Sequence, residues 1–135
     1  FEPTIWQVRD NMDMQQVWFA GAHSNIGGSY LPDKDGSLLS DNALAWMMAE
    51  AERFNLSLEP HLAASLHPNP LATLHDSRRS FYRIKQSYLR PIDPNVAPVL
   101  LHRSVKTRWD QDPKYRPKNL QTYLEQYGWP EEFID

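Results

Sequence analysis

Gln16-Val-Trp-Phe-Ala-Gly-Ala-His-Ser-Asn-Ile-Gly-Gly-Ser-Tyr30 carries the most specific signal in the chain. Val17, Trp18 and Phe19 are a short apolar run of β-branched and aromatic residues, the composition of a buried strand. The run breaks at Ala20-Gly21, and His23 follows two residues later. Asn25, Gly27 and Gly28 then suit tight turns, because glycine meets no Cβ clash at positive φ. A helix with good start signals begins near Ser40. A strand that ends in a glycine-flanked polar loop carrying a histidine, with a helix next, is a common setting for chemistry in α/β folds.

The rest of the chain restricts what that stretch can belong to. Its 135 residues are enough for one domain with a core, and 41% hydrophobic with 23% charged residues is ordinary for a globular protein. Eleven prolines predict several irregular connections. With no cysteine, neither a disulfide framework nor thiolate chemistry is available, although the compartment stays open. These 135 residues read as containing neither a signal peptide nor an apolar run near the ~18 residues that span a bilayer. The opening Phe1-Glu2-Pro3 reads as the middle of a longer chain.

Charge is unevenly spread. Residues 78–118 hold eleven Lys and Arg against Asp93, Asp110 and Asp112, a local balance of +8 within a net charge of -3. An anionic partner is one use for such a segment. Pairing of these cations with acids inside the fold is the simpler one, since no glycine-aromatic RNA-binding motif accompanies them and no nucleic acid is expected.

In chain order, a polar connection through residues 9–13 leads into the strand, and Leu31-Pro-Asp-Lys-Asp-Gly36 makes a turn after the histidine loop. Ser40 as N-cap and Asp41 in the first turn start a helix. Along it Leu44, Met47, Met48, Ala51 and Phe54 form one apolar face, and Asn55 can take the left-handed C-terminal conformation. Trp46 and the two methionines are read as packing residues. Leu58, Leu62 and Leu66 predict a short helix ended by His67-Pro68, and residues 100–109 predict another, with Leu101, Val105 and Trp109 on one face. Leu120, Tyr123, Leu124 and Tyr127 repeat at helical spacing before Gly128. Only Val17 to Phe19 read as a convincing strand, so its neighbours come from weak strand signals at residues 81–84 or from chain upstream; the second is expected.

His23 is the candidate catalytic residue, because an imidazole at a strand end can act as both general base and general acid near neutral pH. Gly21, Ser24, Asn25, Gly27 and Gly28 are expected to shape its loop. Serine hydrolases of the α/β class run in the order Ser, acid, His, which places a nucleophile upstream on a G-x-S-x-G elbow that this chain lacks. His75-Asp76-Ser77 spells out the three triad residue types, but sequence neighbours cannot adopt triad geometry, and a turn or N-cap is expected there. His23, His61, His67, His75 and His102 show no ligand spacing, so no metal site is expected. Gly27-Gly28-Ser29 lacks the Lys-Ser/Thr of a phosphate loop.

The core W-F-x-G-x-H-S-x-x-G-G-x-Y, the helix Leu39-Ser-Asp-Asn-Ala-Leu-Ala-Trp-Met-Met48, and the later Leu74-His-Asp-Ser-Arg78, Tyr82-Arg83 and Tyr115-Arg-Pro-Lys-Asn-Leu120 together resemble one family. It is the α/β-hydrolase family that includes the phospholipase effectors of type VI secretion, and the resemblance is to its C-terminal part. It implies an α/β fold in which residues 1–58 are the end of the hydrolase core, with last strand, histidine loop and helix. Residues 59–135 are then a helical and irregular proline-rich extension of the same domain. It implies an esterase or phospholipase acting through Ser-Asp-His, with His23 at the family's catalytic histidine and the serine and acid upstream, so that the chain alone is inactive. Asn25 stands where many members carry Asp, and Ser29 where many carry Gly. The implied partners are a lipid or other ester substrate and the remainder of the parent hydrolase chain, with no cofactor. The rival expectation is a non-catalytic binding module that uses residues 78–118 against an anionic partner or membrane surface.

Overall fold

The computed structural model describes residues 5–7, 9–76 and 88–135. They divide into two compact units, one from residues 5–18 and 88–134, the other from residues 19–76. The segment at residues 81–84 and Arg78, Arg79, Arg83 and Lys85 lie outside the described residues.

The first unit is built on a two-stranded parallel pairing. Strand β1 (Val17–Trp18) aligns Val17 with Leu100 and Trp18 with Leu101 of β2 (Leu100–Leu101). The His102 N–H extends the ladder to the Trp18 carbonyl at 3.0 Å. On the far side of β2, the Ile134 N–H donates to the Leu101 carbonyl at 3.0 Å, and the Arg103 N–H to the Ile134 carbonyl at 2.8 Å. Leu100 and Leu101 thus open as strand where their apolar spacing predicted helix. The ladder bonds they make to β1 are long-range, and local periodicity does not report them. β1 itself is half-buried rather than fully buried.

Helix α4 (Arg103–Gln111) starts directly after β2, with His102 as its N-cap accepting the Ser104 N–H at 3.2 Å. Helix α5 (Lys118–Tyr127) follows, closed by Gly128 as its sequence predicts. Leu101, Val105, Tyr115, Leu120 and Tyr123 are the unit's buried apolar residues, with Leu101 only 1% exposed. A fully buried leucine contributes about 1.5–3 kcal/mol, so this is a core of the ordinary kind. Trp109 meets Trp129 edge-on at 5.7 Å, and Trp129 meets Phe133 at 6.0 Å.

The second unit is held differently. A single helical turn, α1 (His23–Gly27), packs on the long helix α2 (Asp41–Arg53). Asn55 has φ 61°, the Leu56 N–H bonds the Ala51 carbonyl at 3.1 Å and the Asn55 N–H the Glu52 carbonyl at 2.9 Å. That pair of bonds is a Schellman stop, and it satisfies carbonyls that the helix end leaves open. The short α3 (Pro60–Ala63) covers only part of the helix expected around Leu62.

The face of α2 expected to be buried is only partly so, with Met48 and Ala51 half-buried. Leu44 is 46% exposed, Met47 55% and Phe54 66%. Asp41, Asn42 and Ala43, in the first turn, are buried instead. The Asp41 carboxylate accepts the His67 N–H at 2.9 Å, and Asn42 donates to the Leu39 carbonyl at 2.9 Å. Polar groups go inside here because each finds a backbone partner. Trp46 packs on Phe19 at 5.8 Å, in keeping with a packing role.

Candidate functional site

His23 is the first residue of α1 and is exposed. The loop expected around it is therefore a helical turn, and three features hold its start. Gly21 sits at φ 115°, and a Cβ placed there would lie 2.4 Å from the Asn25 Cβ, so no other residue fits without displacing Asn25. Ala22 is the extended N-cap, with no side chain that can cap. The Asn25 Oδ1 accepts the Ala22 N–H at 3.2 Å instead, which is the reciprocal arm of a capping box. Asn25 is 2% exposed, and its Nδ2 has no hydrogen-bond partner.

The far end of the turn leaves by way of Gly28 at φ 81°, where glycine is favoured. Gly27 has an open surround and completes the helix. Ser29 then takes φ 123°, a conformation that non-glycine residues rarely adopt.

Ser24 and Asn25 line a small polar cleft together with Tyr30, Asp33, Ser37 and His75. Its volume is about 10 Å³, room for roughly one water. His75 stacks on Tyr30 with ring centroids 4.1 Å apart. The Asp33 carboxylate accepts the Thr73 N–H at 2.7 Å. That backbone bond, with a second hydrogen bond from the Thr73 side chain, holds its carboxyl below the usual carboxylate range. Asp35 is lowered in the same way by the Ser37 N–H. His75 is thus a stacking residue that ties the 71–76 segment to Tyr30, while Ser77 of the His-Asp-Ser run lies outside the described residues.

The other histidines are dispersed. His61 lies 3.7 Å from Glu59 at the surface, and His67 uses its backbone N–H on Asp41. His102 Nδ1 lies 2.7 Å from the Ser104 Oγ, a histidine–serine contact that sequence reasoning missed. Because Ser104 is buried and its own N–H also bonds that ring nitrogen, the pair is a helix cap. Among the described residues no group of three or more His, Asp or Glu could hold a metal ion.

Of the described cations of the basic segment, Arg103, Lys106, Arg108 and Arg116 are engaged locally, Arg103 over the Phe133 ring. Lys106 pairs with Asp110 at 2.5 Å, and the buried Arg108 with Asp112 at 3.5 Å. Arg116 Nη1 donates to the carbonyls of Trp109, Asp112 and Tyr115, and its guanidinium lies 4.2 Å from the centre of the Trp109 ring. No described helix is long and apolar enough to cross a membrane.

Residues 1–50, which include the whole histidine turn, match the family model described as the catalytic domain of T6SS Tle1-like phospholipase effectors. An uncharacterized protein of Saccharomyces cerevisiae, YEL023C, is 33% identical over 89 residues, 65% of this chain. The chain spans 12% of that relative's length. No solved structure matches the chain. Over residues 1–50 the chain is thus similar to the catalytic domain of phospholipase effectors of type VI secretion.

Proposed function

We propose that this chain supplies the catalytic histidine of a serine esterase of phospholipase type, as the C-terminal part of an α/β-hydrolase domain. His23 takes the proton from a serine hydroxyl as that oxygen attacks the ester carbonyl, and returns it to the leaving alcohol. The serine and the carboxylate that orients the imidazole come from upstream in the parent chain. The observation that carries this reading is the match of residues 1–50 to a phospholipase effector catalytic domain, with His23 exposed on a glycine-framed turn inside it. A second observation agrees with it. Leu44, Met47 and Phe54 form an apolar stripe left in solvent, the condition expected of a helix whose covering layer lies in chain outside these 135 residues.

The test is His23→Ala in the complete parent, assayed on a soluble short-chain ester and on phospholipid vesicles. Turnover is expected to fall by on the order of 10³-fold, with circular dichroism unchanged. Turnover retained by the folded variant removes His23 from the mechanism.

A further inference from the structure

Asn25 is buried, yet it uses only one of its two polar atoms. The Oδ1 holds the Ala22 N–H while the Nδ2 has no partner. An acceptor is therefore what the fold asks of this side chain. The bond it makes falls on the residue immediately before His23, at a helix start where the N-cap is an alanine with no cap of its own. On its other side, Asn25 presses its Cβ against the space that a side chain at Gly21 would need. Gly21, Ala22 and Asn25 thus form a closed clamp around the backbone that launches the imidazole. α1 has only five residues and cannot hold its own direction by length.

We infer that Asn25 is a positioning residue for His23, acting through the single hydrogen bond from Asn25 Oδ1 to the Ala22 N–H. The inference rests on the reading of His23 as general base. A displacement of the ring by an ångström is enough to lower turnover by up to about 10²-fold without loss of substrate binding.

Two variants of nearly the same shape separate this role from packing. Asn25→Asp keeps an acceptor oxygen, and Asn25→Leu fills the same space with none. In the complete parent, N25L is expected to lose roughly 10- to 100-fold in kcat at unchanged KM, and N25D to recover most of that loss. Amide hydrogen exchange at Ala22 and His23 is expected to quicken at least about tenfold in N25L and to stay near the parent rate in N25D. Equal kcat in N25L and the parent, alongside a normal collapse in H23A, overturns the positioning role alone. Equal losses in N25L and N25D with the same exchange rates also overturn it, since shape would then be the whole of the effect. Full turnover in H23A removes the general-base reading and this inference with it.

Discussion

The two units solve the same problem with opposite materials. The unit of residues 5–18 and 88–134 buries Leu101, Val105, Leu120 and two tyrosines, and rings them with tryptophans and cations. The unit of residues 19–76 buries small apolar residues, Ala20, Ala43 and Ala72, with Leu39, among Asn25, Ser37, Asp41 and Asn42. Several of its large apolar residues stay outside, among them Leu31, Leu44, Phe54 and Leu62. Burial of area stabilises the first, whereas specific hydrogen bonds define the second. A region of the second kind holds a precise backbone but gains little from the hydrophobic effect by itself.

The largest effect that tests this contrast is Leu101→Ala. It is expected to cost about 2–5 kcal/mol in urea unfolding, as for any fully buried leucine. Met47→Ala in the same chain is expected to stay within about 0.5 kcal/mol, because its side chain is already in water. A large loss from M47A in these 135 residues would break the comparison. In the complete parent, where we propose that the α2 stripe is covered, the M47A cost should rise towards that of a core position.

Next in size is a pH effect confined to the aromatic unit. Burial pushes the Tyr115 hydroxyl up to about 12 from an ordinary value of 10, against an opposing pull from Arg108. The folded form therefore keeps a proton that the unfolded chain gives up earlier. Stability conferred by neutral Tyr115 is fully present below pH 10 and is lost as pH rises towards 12, by roughly 2–3 kcal/mol at most. Tyr115→Phe should flatten that part of the stability–pH curve. An unchanged alkaline limb would show that the ring is not held in an apolar setting.

The smallest effect sharpens the picture of the histidine turn. Ser29 at φ 123° bears strain that glycine does not, so Ser29→Gly is expected to stabilise the chain by about 1 kcal/mol in thermal unfolding. No gain, or a loss, would mean that the serine side chain repays the strain.

What could be read from sequence divides along a similar line. Helices α2 and α5 were legible because their signals are local, with Asn55 and Gly128 at their ends and apolar repeats between. Which side of α2 lies inside was not, since the periodic stripe shows what could be buried rather than what is present to bury it. Leu100 and Leu101 fit a helical face with Val105, but their backbone partners lie at Val17 and Trp18. His23 drew attention through its residue type and glycine neighbours. The Asn25 clamp did not, because it depends on the φ of Gly21 and the extended Ala22. The His102 cap was equally hidden, as histidine is not among the usual capping residues.

The parallel pairing of Val17 with Leu100 has a consequence for biogenesis. A strand near the start of this sequence cannot form its ladder until some eighty further residues have left the ribosome, about 4–16 s at ordinary elongation rates. During that wait Val17 and Trp18 lack their β2 partners, while residues 19–76 have time to reach their hydrogen-bonded arrangement first. Slowing translation through the intervening stretch is then expected to lengthen the interval before that pairing can form.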